Sequence, residues 1–289
     1  MKRKLIITGG SLVLIIFAFA AAVWLAGSAL SVPVNQSVGN LPPDLHGRSV
    51  EFSSASGAMI RGWLIDGRKG AGAIVLLHGL RANRLSMLER ARFLSRADYA
   101  VLLFDFQAHG ESTGQHLTFG YLEGMDAQAA VNFLQHTVPD EKIGLIGVSM
   151  GGAAAILASP KLDVQAFVLE MVYPTISEAV ANRLTMRLGN WASVLTPVLT
   201  LQLKPRLGVD AQALRPIDTV NYISAPKLFI AGAEDEHTPL NESVRLFDAA
   251  CEPKQIWIVG GAKHQDLHKA AQEQYEKRVL DFFGQTLRR

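Results

Sequence analysis

The stretch KIGLIGVSMGG, residues 142–152, decides how this chain is read. Gly147-Val148-Ser149-Met150-Gly151 fits G-x-S-x-G, a spacing with chemical meaning only where a strand runs into a sharp turn and a helix leaves it. Ser149 is then either a nucleophile raised on that turn or an ordinary hydroxyl opening a helix. The run at 142–146 is short and apolar, as a buried strand is, and 150–158 is rich in Gly and Ala, as a helix packed close to a sheet must be. A serine on so tight a turn needs small residues two positions away on either side, which Gly147 and Gly151 supply. Gly152 adds clearance, and a helix N-terminus beneath Ser149 favours developing negative charge.

Outward from this point the chain repeats one pattern. Apolar runs at 73–77, 100–104, 142–146, 166–169, 227–231 and 255–259 alternate with helix-length segments at 85–96, 122–136, 150–158, 240–250 and 268–287. Strands buried on both faces and separated by helices predict βαβ units in a mostly parallel sheet, an α/β fold. Two earlier runs, 50–52 and 59–65, flank the turn Ser54-Ala55-Ser56-Gly57 and read as an antiparallel edge hairpin. The rhythm breaks once. Between 169 and 227 no strand is evident, and 176–188 and 191–203 read as helices ended by Pro205 and Pro216. An insertion there would lie above the carboxyl ends of the strands, where ligands bind in open α/β sheets. We therefore expect a lid-like insertion over 173–216 within a domain spanning 48–289, joined by a linker at 31–47 to an N-terminal segment 1–30.

A serine nucleophile needs a base, and the base needs an orienting acid. The acid should follow a later strand, and LFIAGAEDEHTP offers Asp235 after the run 227–231. The base should follow the last strand, and IWIVGGAKHQDLH offers His264. Both positions fall at the edge that presents Ser149, in the chain order Ser, acid, His. Two backbone N–H groups should hold the oxyanion: Met150, next to the serine, and Leu80, in the loop after 73–77.

VLLHGL, DFQAHGESTG, GVSMGG, GAEDEHTP and GGAKH, taken in order, resemble the α/β-hydrolase superfamily, and most of all its serine-aminopeptidase-like and BEM46-like small serine hydrolases. The resemblance runs from about residue 48 to the end. It implies the α/β-hydrolase fold, Ser149 as nucleophile, Asp235 as acid, His264 as base, and Leu80 and Met150 as oxyanion donors. It specifies the fold more sharply than the substrate. One departure stands out: Gln107 and Ala108 replace the Arg and Gly usual in D-x-R-G-H-G-x-S-x-G, which affects loop hydrogen bonds and no triad position.

Other polar residues have plainer readings. His78, Asp105 and His109 organise loops, Glu170 is a rival acid at the end of 166–169, and His237 and Asp266 flank the triad positions. His46, His116, His136 and His268 show no partner pattern, and Cys251 reads as a small apolar residue near a helix end. No H-E-x-x-H, paired cysteines or acidic calcium loop calls for a metal, and no G-x-G-x-x-G follows the first parallel run, so no cofactor is expected. A net charge of +2 on 289 residues, with scattered Lys and Arg, gives no support to nucleic-acid binding.

The N-terminus carries the excess hydrophobicity. Met1-Lys2-Arg3-Lys4 precedes an uncharged apolar run from 5 to 30, whose purer part, 12–30, spans roughly 28 Å as a helix. It reads as a transmembrane signal anchor that holds the catalytic domain on the non-cytoplasmic side. A cleaved signal peptide ending near Ala26-Gly27-Ser28, and hence a secreted protein, is the competing reading. The expected function is a serine hydrolase cleaving a small-molecule or lipid acyl ester or thioester. An aminopeptidase-like amide hydrolase, an acyl transferase and a non-catalytic membrane-tethered binding module are the alternatives.

Overall fold

In a computed structural model the backbone is described for residues 2–288, and side chains of the first helix are described at 14, 17 and 18 and from 20 onward. Eight strands form one sheet: β1 (Gly47–Ser53), β2 (Met59–Ile65), β3 (Ala73–Leu77), β4 (Ala100–Phe104), β5 (Ile143–Val148), β6 (Ala166–Glu170), β7 (Lys227–Gly232) and β8 (Lys254–Val259). Their order across the sheet is β8-β7-β6-β5-β3-β4-β2-β1. β1 and β2 are antiparallel, β2 is antiparallel to β4, and the remaining neighbours are parallel. Every expected strand is present, the central ones buried on both faces between helices and the edge strands β1 and β8 partly exposed. β3, β4 and β6 are buried at every residue. The fold is that of an α/β hydrolase.

Along the chain the helices are α1 (Lys2–Ser31), α2 (Leu88–Arg96), α3 (Tyr121–Thr137) and α4 (Met150–Leu157), then α5 (Ile176–Leu188), α6 (Thr196–Thr200), α7 (Leu203–Leu207) and α8 (Pro216–Thr219) between β6 and β7. After these come α9 (Leu240–Ala249), α10 (Leu267–Ala270) and α11 (Gln272–Thr286). The second helix expected in the insertion is broken. A 3-10 turn over Asn190–Leu195 leads into α6, which carries Pro197 in its first turn, and α7 follows as a separate piece. Pro205 stands in the first turn of a helix rather than ending one. It is the third residue of α7, where the missing N–H would have had no helical partner, and Gly208 in the left-handed region closes that helix.

The expected membrane span is not borne out. Among the described residues no helix is long and apolar enough to cross a membrane. That overturns the transmembrane anchor, the membrane as a partner, and the placement outside the cytoplasm that rested on it. The basic flank ahead of the span lies outside the residues whose side chains are described. The physical reason lies at the other end of α1, whose last turns are packed on protein. Gln202 donates to Val23 O at 3.2 Å, and Arg206 donates to Trp24 O at 2.6 Å and lies over the Trp24 ring. Leu117 N donates to Ser31 O at 3.0 Å, and Arg81 reaches Ala29 O at 3.2 Å. A guanidinium bound to the backbone at Trp24 is a poor neighbour for hydrocarbon. Near the end of α1, Gly27, Leu30 and Ser31 line a cavity shared with the insertion, while Leu25 stays exposed.

Asp126 on α3 is buried and anchors the loop after β4, accepting from Gln107 N at 2.8 Å and from Ser56 Oγ at 2.6 Å. Burial pushes its carboxyl up to about 7. The folded state therefore keeps a proton that the unfolded chain releases above about pH 4, and stability falls as pH rises from there to about 7. Asp126→Asn should flatten this slope, worth of the order of 4 kcal/mol at most. Urea unfolding at pH 4 and pH 8 checks it; equal slopes for wild type and variant would contradict it.

Candidate active site

Ser149 stands between β5 and α4 with φ +51° and ψ −113°, a region that non-glycine residues seldom enter. The surroundings hold it there. Its N–H donates to Glu170 O at 2.8 Å and its carbonyl accepts from Ala153 N at 3.0 Å. The glycines around it are sites of close approach. A Cβ on Gly147 would come within 2.6 Å of Gly152 Cα, and one on Gly151 within 2.6 Å of the His78 carbonyl oxygen. α4 thus enters the sheet at a distance only glycine permits.

Asp235 follows β7 and is buried. Its Oδ1 accepts from His237 N at 2.8 Å and Thr238 N at 2.9 Å, and its Oδ2 accepts from His264 Nδ1 at 2.7 Å. That bond leaves His264 Nε2 as the free ring nitrogen. His264 and Ser149 line one open cleft of about 430 Å³, although among the described residues no hydrogen bond joins them. Serine–histidine contacts are often loose before substrate arrives. Leu80 and Met150, the expected oxyanion donors, flank the same serine, and neither N–H has a partner among the described residues. The loop carrying Leu80 passes close by: a Cβ on Gly79 would sit 3.8 Å from Ser149 Cβ.

The rival residues are engaged elsewhere. Glu170 accepts from Arg90 Nε at 3.0 Å and Nη2 at 2.8 Å, and from the Tyr275 hydroxyl at 2.5 Å. Arg90 Nη1 also pairs with Asp266 at 2.8 Å. His78 donates from Nδ1 to Gly79 O at 2.8 Å and accepts from Phe106 N at Nε2, and burial pushes its pKa down to about 3. His109 accepts from Arg81 N at 3.2 Å and so braces the Leu80 loop. Asp105 binds Arg84 N and Nη1, both at 2.8 Å. Gln107, at the departure from the usual loop motif, donates to His116 O at 2.6 Å and Glu123 Oε1 at 2.9 Å. His237 stacks on His264 with ring centroids 4.7 Å apart, and burial followed by the His264 neighbour holds its pKa below the usual value. Among the described residues no three His, Cys, Asp or Glu side chains are grouped to hold a metal ion.

A family model described as serine aminopeptidase, S33, matches residues 68–216. The chain belongs to that family. An uncharacterized protein of Mycobacterium tuberculosis is 31% identical over 243 residues, covering 83% of this chain and 78% of that protein. The uncharacterized protein YqkD of Bacillus subtilis is 27% identical over 235 residues, covering 79% and 76%. Among solved structures, the Pyrococcus furiosus esterase Pf2001 superposes with a TM-score of 0.74 at 26% identity, over 89% of this chain and 98% of that one. The chain is a hydrolase of the α/β-hydrolase superfamily.

Two cavities meet at Ser149. The open cleft holds His264 and His237. The other is an apolar cavity of about 100 Å³ between the insertion and the end of α1, bounded by Leu30, Leu80, Ile176, Val180, Leu199 and Leu203. Sequence reasoning missed two contributors. Gly27, Leu30 and Ser31 of α1 line the apolar cavity; the first two fell within the run read as a membrane span and Ser31 within the expected linker. Arg183 lines both cavities, and nothing in the sequence sets it apart from Arg187 on the same amphipathic helix.

Gly151→Ala should lower stability by about 1–3 kcal/mol, because the Leu77 and His78 carbonyls it would strike are backbone and cannot rotate away. Gly260→Ala, where a Cβ meets nothing within 4 Å, is the matched control. Thermal melts compare them; equal midpoints would show that α4 can move off the sheet.

Proposed function

We propose that this hydrolase is a serine esterase or thioesterase acting on short apolar acyl groups. The observation that carries the reading is His264, bonded to Asp235, in the same cleft as a serine on a strained strand–helix turn. His264 Nε2 takes the Ser149 proton as Oγ bonds to the acyl carbon. Asp235 holds the Nδ1–H tautomer and stabilises the imidazolium. The Leu80 and Met150 N–H groups receive the oxyanion. As the tetrahedral species collapses, the bond to the leaving alcohol or thiol breaks and His264 returns the proton to it. Water, deprotonated by His264, then attacks the acyl-enzyme and frees the acid and Ser149.

The apolar cavity is the acyl site in this reading. Its volume is below the ~150 Å³ of a dry cavity that takes benzene, which supports short chains. The esterase label of the Pyrococcus furiosus relative points the same way. The family description names an aminopeptidase, but an aminopeptidase needs a free carboxylate near the nucleophile to hold the substrate ammonium. Here Asp235 is spent on His264 and Asp266 on Arg90.

A fluorophosphonate probe should label the wild type and not Ser149→Ala. Asp235→Asn should lower kcat by about 10⁴ for p-nitrophenyl acetate or butyrate, through the wrong imidazole tautomer. Labelling that survives Ser149→Ala, or faster cleavage of aminoacyl amides than of any acyl ester, would refute the esterase reading.

A further inference from the structure

Arg183 of α5 stands where the apolar cavity and the open cleft meet, lining both alongside Ser149 and Leu80. Its Nη1 donates to Ala179 O at 2.8 Å, one turn back on the same helix. Among the described residues Nε and Nη2 have no partner, and no carboxylate pairs with this guanidinium. Those two donors form one edge of a planar fork, the geometry that matches both oxygens of a carboxylate. A half-buried cation without a counter-ion is costly unless something else supplies the charge. The carboxylates whose charge reaches it make no bond to it: Asp235 is bound to His264 and Glu242 accepts from Asn182, while Asp266 and Glu170 pair with Arg90. A second guanidinium, Arg81, lines the same cleft and is exposed, bonded only to Ala29 O. Among the described residues lining the cleft, Arg90 is paired with Glu170 and Asp266, whereas Arg81 and Arg183 have no carboxylate partner.

We propose that Arg183 binds a carboxylate carried by the leaving group, so that the substrate is an ester or thioester with an apolar acyl part and an acidic alcohol or thiol part. This rests on Ser149 acting as the esterase nucleophile. The assignment to the leaving-group side follows from the two cavities. The apolar one suits the acyl chain, whereas the cleft holds His264, which must hand a proton to the departing group. Burial works against the Arg183 charge, Asp235 and Glu242 offset it only at a distance, and a bound carboxylate would pair it directly.

The test uses p-nitrophenyl butyrate and 3-carboxy-4-nitrophenyl butyrate, which share an acyl group and differ by one carboxylate. Arg183→Met should cut the ratio of kcat/KM, charged over neutral ester, by at least about tenfold relative to wild type, the lower end for a hydrogen bond to a charged group. Intrinsic leaving-group reactivity cancels in that quotient. Arg183→Lys should keep part of the preference and Arg183→Glu should invert it. Wild-type protein also gives a measure that needs no variant: 3-carboxy-4-nitrophenol should inhibit neutral-ester hydrolysis at lower concentration than 4-nitrophenol. An unchanged ratio in folded Arg183→Met, or equal inhibition by the two phenols, overturns the proposal and leaves the esterase reading standing. Cleavage of neither ester, with no fluorophosphonate labelling of Ser149, overturns both.

Discussion

The closeness of α4 to the sheet is the constraint on which the rest of this molecule depends. Ser149 can hold φ +51° only because Gly147 and Gly152 lie almost against each other and Gly151 lies against the backbone of β3 and the loop beyond it. The same approach puts the Met150 N–H, the first of its helix, beside the serine with no internal partner. One packing decision thus produces the raised hydroxyl, one unpartnered donor and the helix N-terminus beneath them. The Leu80 loop completes the arrangement from β3, held by the rings of His78 and His109 and by one backbone bond, Ala82 N to Gly79 O.

The histidine side is held by a different device. Arg90 sits buried beneath the cleft and joins α2 to Glu170 at the end of β6, to Tyr275 of α11 and to Asp266 in the loop that carries His264. Removing one member would strand a buried charge, a loss of several kcal/mol. The network therefore ties the position of the His264 loop to that of β6. Ser149 N hangs from the Glu170 carbonyl of that same strand end. Serine and histidine are consequently referenced to one residue, by its backbone on one side and its side chain on the other.

Strand positions were legible in the amino-acid pattern because burial on both faces leaves few polar choices, and all six parallel strands fall within two residues of their expected bounds. The glycines around Ser149 were legible for a similar reason, since steric exclusion shows directly as composition. The insertion was harder. After α5, which stops at Gly189, its helices are short and stop at Leu201 and Gly208, where local turn geometry outweighs three- and four-residue periodicity. Gln107 and Ala108 were visible as departures, but not their consequences. Ala108 adopts φ +57°, where the related motif has glycine, and Gln107 binds Glu123 and the His116 carbonyl. Long-range partners such as Arg90 with Asp266 leave no local signal at all.

The N-terminal segment shows why hydropathy alone misleads. An apolar run reports what must be kept from water and is silent on what does the excluding. Here part of that service falls to the insertion. Arg206 and Gln202 grip the carbonyls of Val23 and Trp24, and Gly27 leaves the room that the Gln202 side chain fills. Leu30 then faces the cavity beside Ser149 rather than a bilayer. A helix end that supplies part of a pocket wall must hold its register against α6 and α7 to within a side chain, because the cavity between them is only about 100 Å³. Shifting α1 by one residue would turn Gly27 away from Gln202 and place a side chain there, closing the space that the two helices jointly leave open.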